Sequence, residues 1–388
     1  MRENIQGILR GSTTAQDADQ AAADLVVALG QPDLHLVVVF AAATYDVHRL
    51  AACLQERFGR QVPVVGCTTA GEITPEGFHN AAVTGFSLGG PDFAAGVELI
   101  ENLQSFNVAE GHAIVRRALQ KVVRQAPHTS RERMFALTLI DGMSGSEEAV
   151  ISALHAALGE IPLCGGSAGD GLRFQETFVF HQGRAVRDCA LLILISTMLP
   201  FRVFKTEHFE ATSEKVVVTG ADPARRIVSE VNAEPAAREY ARVVGLDVAN
   251  LTPMIFATHP VVVRVGGTNF VRSIQKVNED ESLTFFCAID EGIVLTVAKG
   301  IDLADNLDGL FVDIQAHLGP PELVIGFDCI LRNLEIDQKG LRARVSATLS
   351  KNRVVGFATY GEQYQAMHVN QTFTGVAIGR RGGGDTGQ

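Results

Sequence analysis

The chain has 388 residues, 46% of them hydrophobic, and a formal charge of −11 with a pI near 5.5. Such a length builds large cores and predicts two domains, while the acidic balance offers no field to nucleic acid or anionic lipid. The longest apolar run, Ala190 to Leu199, is about half of the roughly twenty residues a membrane span needs and reads as a buried strand.

Met1 to Asp17 is polar and lacks the apolar stretch of a signal peptide, so the expected compartment is the cytoplasm. The six cysteines are scattered without CxxC or CxxCH spacing, which predicts buried thiols rather than a zinc ribbon or covalent haem.

The first unit opens with an Ala-rich helix, Asp17 to Leu29, closed by Gly30 and Pro32. Next comes Leu34 to Ala41, an unbroken apolar strand of the kind covered on both faces. A helix capped by Asp46 carries Val47, Leu50, Leu54 and Phe58 at helical spacing. It leads into VPVVGCTTAGEI (Val62 to Ile73) and a strand, Ala82 to Leu88.

The second unit repeats the order: a helix from Glu110 to Arg124, a strand from Met134 to Ile140, and a helix capped by Ser144 or Ser146. IPLCGGSAGDGL (Ile161 to Leu172) and strands Thr177 to Phe180 and Ala190 to Ser196 follow. Pro223 to Gly300 differs in character, with a helix at Pro235 to Val244 and short strands, two of them joined by Gly266-Gly267 as a hairpin.

A third unit begins with helix Leu303 to Leu318, whose exit LGPPELVIGF matches LGQPDLHLVVVF of the first. Leu341, Val345 and Leu349 mark its second helix, RVVGFATYGEQY its Gly-rich turn and Gln371 to Ile378 its last strand. Three copies in one order indicate duplication. The predicted fold is α/β with mixed α+β character, built from repeated helix-strand-helix-strand units in two sheet-based modules. The expected division is a tail over 1–20, an N-terminal domain over 21–221 with two units, a C-terminal domain over 222–379 and a disordered tail over 380–388.

Ligands of parallel sheets sit at the carboxyl ends of strands. There the first unit offers Asp46, Cys67, Thr68 and Glu72, the second Asp141, Ser144, Ser167 and Asp170, and the third Asp328, Cys329, Arg332, Tyr360 and Glu362. Equally, Gly66, Gly165 and Gly356 can serve strand packing while Ser, Thr and Asp cap backbone. No His neighbours Cys67 in sequence to activate it, and no turn matches a nucleotide-binding fingerprint. Binding is therefore expected over catalysis. His208, His259 and His368 stand out as imidazoles able to ligate haem iron, against the commoner role of a hydrogen-bonded core histidine. Arg264, Arg272 and Lys276 alternate along two strands, a spacing able to clamp a carboxylate or a haem propionate but read first as a solvated sheet face.

The segments VPVVGCTTAGEI, DGMSGSEEAVISALHAALGEIPLCGGSAGDGLRF, PFRVFKTEHF, RSIQKVNEDESLTFFCAIDEG and RVVGFATYGEQYQAMHVNQTFTGVAI resemble FIST-domain proteins, from about Leu25 to Ile378. The resemblance implies a bacterial sensory protein with FIST N and FIST C modules. It is also similar to the stand-alone nitric-oxide-sensing subgroup, NosP, which implies non-covalent haem b and a partner sensor histidine kinase acting in biofilm and cyclic-di-GMP signalling. On that reading His368 is the first choice of iron ligand, with His259 and His208 in reserve. Alternatives are a small metabolite such as an amino acid in the Gly-rich turn pocket, or an iron-sulfur cluster on the cysteines. Self-association is left open.

Overall fold

A computed structural model describes residues 7–265 and 267–381. The first unit runs β1 (Ile8–Thr13), α1 (Ala18–Leu29), β2 (Leu34–Ala42), α2 (Val47–Phe58), β3 (Val64–Thr69), the hairpin β4 (Glu72–Thr74) and β5 (Gly77–His79), and β6 (Val83–Gly89). In the second come β7 (Phe93–Glu101), α3 (Val108–Gln125), β8 (Met134–Ile140), α4 (Glu147–Leu158), β9 (Leu163–Ser167), the hairpin β10 (Val179–His181) and β11 (Arg184–Val186), and β12 (Cys189–Thr197).

The third unit starts at β13 (Phe201–Glu207) and is interrupted by an insert. That insert holds β14 (Phe209–Asp222), β15 (Ile227–Val231), β16 (Glu234–Pro235), α5 (Ala236–Val244), α6 (Pro253–Thr258), β17 (Val261–Val265), β18 (Thr268–Arg272), β19 (Ile274–Val277), β20 (Leu283–Phe285) and β21 (Val294–Gly300). The unit resumes with α7 (Leu303–Leu318), β22 (Leu323–Cys329), α8 (Ile330–Gln338), α9 (Arg342–Lys351), β23 (Val354–Thr359), the hairpin β24 (Glu362–Tyr364) and β25 (Met367–Val369), and β26 (Thr372–Ile378).

Each unit gives its hairpin away. β4 pairs with β23, β24 with β9 and β10 with β3, so the exchange passes from first unit to third, third to second and second to first. Three equivalent six-stranded sheets result, ordered β1-β6-β2-β3-β10-β11, β7-β12-β8-β9-β24-β25 and β13-β26-β22-β23-β4-β5. In each, one central pair is parallel (β2 with β3, β8 with β9, β22 with β23).

The inner faces of the sheets share one core, in which Phe40, Leu137, Leu139, Ile193, Phe327 and Phe357 meet. Helices α1 and α2, α3 and α4, and α7 to α9 cover the outer faces. Coverage on both sides is why β2, β8 and β12 read as unbroken apolar runs. Local signals agree with this packing: Asp17 and Asp46 accept from the N–H groups of Gln20 and Arg49, and Asn107 with Glu110 forms a capping box on α3, each cap contributing about 1 kcal/mol.

The predicted repeat and its α/β class are present, with several corrections. Ile8–Thr13, assigned to a tail, is β1 and pairs with β6 along its whole length. The insert begins at Phe209, because β14 pairs with β21 rather than with the units. Helix α8 was not predicted: Arg332, Asn333 and Glu335 lie on its buried side and break the apolar pattern. Ser146 caps α4 without a side-chain bond. Arg380 and Arg381, counted in the terminal tail, pair with Glu322 and Asp92; its remaining residues, 382–388, and Gly266 of the β17–β18 hairpin lie outside the described residues. Among the described residues no helix is long and apolar enough to cross a membrane.

Candidate functional site

The turns after β3, β9 and β23 interlock at the centre of the pseudo-threefold arrangement. Ala70 N–H donates to the Ala358 carbonyl (2.9 Å), Gly169 N–H to Thr68 (3.0 Å) and Ser167 N–H to Gly361 (2.9 Å). Gly66, Gly165 and Gly356 occupy one position of the parallel pair, where a Cβ would stand 1.8, 2.2 and 1.7 Å from the carbonyl oxygens of Val39, Thr138 and Gly326. These three glycines are there for close strand approach.

Beside the first unit's turn a cavity of about 240 Å³ opens. Its walls are the loops 42–44 and 69–72 and Asn80 of the first unit, the loop 170–173 of the second, and α8 with Arg342 of the third. It lies at the carboxyl ends of β2 and β3, where the sequence placed a pocket.

Glu72 is fully buried in one wall; Ala82 N–H donates to its Oε2 (2.9 Å), and Thr69 Oγ1 is bonded to its Oε1. Thr69 Oγ1 also reaches the Ala41 carbonyl (3.2 Å), but one hydroxyl proton cannot serve both acceptors. A protonated Glu72 resolves this by donating to Thr69, which donates to Ala41. Burial raises the Glu72 carboxyl to about 7, against the opposing pull of its hydrogen bonds.

A carboxyl whose folded value lies above its unfolded 4.5 contributes stability that is full below 4.5 and lost as pH rises through about 7. The wild type is expected to lose on the order of 3 kcal/mol across that window from this group. Glu72→Gln, which can still donate to Thr69 and accept from Ala82, should flatten that part of the curve in urea denaturation at stepped pH.

Asp170 is 2% exposed and fully engaged. Oδ1 accepts from Phe174 N–H (2.8 Å) and Tyr360 Oη, and Oδ2 from the N–H groups of Gln175 (3.0 Å) and Glu176 (3.1 Å). Burial pushes its carboxyl upward, but these bonds outweigh it and hold the group below its ordinary range. Arg173 spans the mouth, Nε donating to the Asp170 carbonyl (3.0 Å) and Nη2 to the Ala43 carbonyl (3.3 Å). On the far wall Arg342 grips Asp337 through Nε and Nη2 and donates from Nη2 to Asn333 Oδ1 (3.1 Å).

The equivalent position in the third unit is covered. Glu362 matches Glu72 in its repeat, with Thr372 N–H donating to its Oε2 (3.0 Å), and burial pushes its carboxyl well up. Asn370 matches Asn80, yet is 0% exposed where Asn80 is open, because α6 and Phe286 of the insert pack over Ile330, Leu331 and Tyr360. Gln371 Nε2 donates to the Phe256 carbonyl (3.0 Å) and ties the insert down. In the second unit Asp141 takes the carboxylate's role, accepting from Thr177 Oγ1, Met143 N–H (3.0 Å) and Asp188 N–H (2.6 Å).

Of the residues the sequence offered, Glu72 and Asp170 line the cavity. Cys67 lies in the central core with its thiol pushed well up by burial. Thr68 and Ser167 are fully buried in the interlocked turns, Thr68 Oγ1 accepting from Phe178 N–H (3.0 Å) and Ser167 Oγ from Gln363 Nε2 (2.9 Å). Asp328 pairs with Arg332 (2.6 Å), and Tyr360 supports Asp170. Arg173, Asn333 and Arg342 were missed; Asn80 was also missed, although it recurs as Asn370 eight residues after the Gly-Glu pair in two units.

His208 is committed: Arg332 Nη1 donates to Nδ1 (2.7 Å), which leaves Nε2–H to donate to Glu335 (2.8 Å). Burial, with Arg332 adding to it, lowers its pKa to about 4. His368 is 3% exposed and turns its Nε2 edge onto Gly361, where a Cβ would stand 2.5 Å away. His208 thus has no free ring nitrogen to offer an iron. His259 differs. Thr258 Oγ1 donates to the Met254 carbonyl (3.0 Å), so His259 Nδ1–H donates to Thr258 Oγ1 (3.0 Å) and Nε2 keeps a free lone pair. All six cysteines are buried, and among the described residues no three His, Cys, Asp or Glu side chains are grouped to hold a metal ion, so the cysteines do not fit an iron-sulfur cluster.

Three units share one core, and a crevice lined by polar groups opens beside the turn of the first. The FIST N domain matches residues 35–234 and the FIST C domain residues 236–365. The chain belongs to the FIST family, whose domains are signal-transduction sensor modules. A curated relative, an uncharacterized protein of Methanocaldococcus jannaschii, is 22% identical over 281 residues, covering 63% of this chain. The match spans about half, 54%, of that relative's length. Among solved structures the chain is similar to cyanuric acid hydrolase from A. caulinodans, with TM-score 0.42, 8% identity and coverage of 96% of this chain and 99% of that one. Another cyanuric acid hydrolase structure gives TM-score 0.40 and 10% identity at coverages of 96% and 99%.

Proposed function

We propose that this chain is a ligand-responsive sensor that binds a small polar metabolite, of amino-acid size, in the crevice of the first unit. The cavity carries this reading. Its volume of about 240 Å³ equals roughly eight water molecules, and its walls come from all three units. A ligand there touches loops whose relative placement it can change. The output we propose is a ligand-dependent contact with a sensor histidine kinase, read as kinase autophosphorylation with and without ligand. Cys67, its thiol buried in the core and pushed well up, is set aside as a nucleophile.

A metabolite that binds only the folded chain should raise its stability by about 2.7 kcal/mol at a hundredfold excess over Kd. Thermal-shift screening reads this directly. Asn80→Phe, at the exposed mouth, should abolish the shift without lowering the unliganded midpoint; a shift that survives it removes the cavity as the site.

Haem-based nitric oxide sensing is the second reading, and the free Nε2 of His259 favours it. His259 would then hold the iron of haem b, which supplies the nitric oxide binding. Haemin should give a sharp Soret band that moves with nitric oxide and is lost in His259→Ala. An absent band, or one unchanged by that substitution, sinks this reading while leaving the first intact.

A further inference from the structure

Granting that the cavity is the sensing site, we propose that its ligand is a small organic carboxylate bound by Asn333, Arg173 and Arg342, and that an ammonium group on the ligand adds nothing. The reason is an imbalance in uncommitted groups. Three carboxyl side chains line the cavity, yet each is spent inside the protein. Asp170 accepts four hydrogen bonds, Asp337 is gripped by Arg342, and Glu72 is held by Thr69 and Ala82. Each already faces donors of the protein, Asp337 being the half-exposed one.

The donors are the groups left over. Asn333 is 6% exposed, and its Oδ1 accepts from Arg342, but its Nδ2 makes no hydrogen bond among the described residues. That nitrogen lies beside Gly71, 3.2 Å from where a Cβ there would stand. The residue is mostly buried, and this amide donor is left open to an acceptor in the cavity that its side chain lines. Arg173 and Arg342 each use Nε and Nη2 internally and keep Nη1 free, so two guanidinium groups flank the same space. A carboxylate fits guanidinium and amide N–H groups through charge-assisted hydrogen bonds.

Protonation of Glu72 makes room for the anion. The ionisable groups around it are Tyr45, Asp170 and Asp337 with Arg173 and Arg342. Asp170 and Asp337 are already matched by donors, so the ionisation of Glu72 alone adds a negative charge beside the ligand. Binding should therefore weaken as pH rises through about 7, with proton uptake on binding above that point.

Lactate, alanine and isopropanolamine separate the possibilities, since they share a size and differ in carrying the carboxylate, both charged groups or the ammonium alone. Millimolar titrations of the full chain are read by calorimetry and thermal shift. Lactate and alanine should bind within about threefold of each other, and isopropanolamine not at all. Asn333→Ala and Arg173→Gln should each weaken lactate by about tenfold, near the value of one charge-assisted hydrogen bond. Glu72→Gln should keep binding and lose its pH dependence.

Arg173 is half-exposed, so its variant tests binding even if Asn333→Ala folds poorly. Alanine or isopropanolamine binding where lactate does not would overturn the carboxylate assignment while leaving the cavity as the site. Binding of none of the three would overturn the carboxylate assignment, the site itself being judged by Asn80→Phe, whereas binding unchanged in both variants would overturn the assignment and the site together.

Discussion

Gly356→Ala is expected to cost more than 3 kcal/mol and to leave little native protein at 37 °C, whereas Gly309→Ala is expected to stabilise the same chain. A Cβ on Gly356 would stand 1.7 Å from the Gly326 carbonyl oxygen and 3.0 Å from its nitrogen, on a strand paired in register from Val354 to Thr359. Both contacts are backbone, so no rotamer change relieves them. Overpacking by one methyl ordinarily costs 1–3 kcal/mol where side chains can move; here the parallel pair itself must part, against a total stability on the order of 5–15 kcal/mol. Gly309, inside α7, has nothing within 4 Å of its would-be Cβ. Alanine there gains about 0.5–1 kcal/mol of helix propensity. Denaturant midpoints of the two variants check both signs. Equal effects would show that the glycines of the parallel pair are not steric requirements.

That contrast also marks what a reader of the sequence can recover. Periodicity and caps locate most of the helices and central strands, because their apolar faces and N-caps act locally. The hairpin exchange is invisible for the opposite reason. Glu72–Thr74 pairs with Gly356 and Phe357, far along the chain, and a three-residue strand carries no mark of its partner. Helix α8 fails by its polarity, since Arg332, Asn333 and Glu335 are buried through ion pairs and hydrogen bonds instead of apolar contact. The same helix supplies the third wall of the cavity. Glu72 and Asp170 could be found by their Gly-rich turns, but the groups that complete the site come from other units, brought there by the exchange. Asp141 and Tyr360 look like ligand groups in sequence and prove to be the framework that holds the loops.

Asp170→Ala should release the loop 171–178, lower stability by about 2–4 kcal/mol and abolish ligand binding. The carboxylate collects three backbone N–H groups and the Tyr360 hydroxyl, and a buried donor left without an acceptor costs about 1–3 kcal/mol. Four such penalties exceed the cost of letting the loop leave, so the loop opens, and the measured loss is that of opening. Arg173 then loses its place over the cavity, and Phe174 its stack on Tyr360, with ring centroids 4.6 Å apart. Phe174 also touches Phe286 of the insert at 5.8 Å, so the loop joins the cavity to the second module, and its release should be felt there. Hydrogen exchange should show faster exchange at 171–178 and at the segment around Phe286, with β2 and β8 unchanged. Because the Asp170 carboxyl is held below its ordinary value, its stabilisation is present above about pH 4 and is lost as pH falls through its folded value. Wild type should accordingly approach the Asp170→Ala exchange pattern in acid, while the variant stays flat. Tyr360→Phe removes one donor to the carboxylate and leaves the Asp170 N–H without its acceptor, and with the three N–H bonds to the carboxylate kept it should cost less than Asp170→Ala and leave the loop in place. A loop that stays protected in Asp170→Ala would mean that Phe174 stacking alone holds it, and that the cavity and the insert are joined through the aromatic rings without the carboxylate.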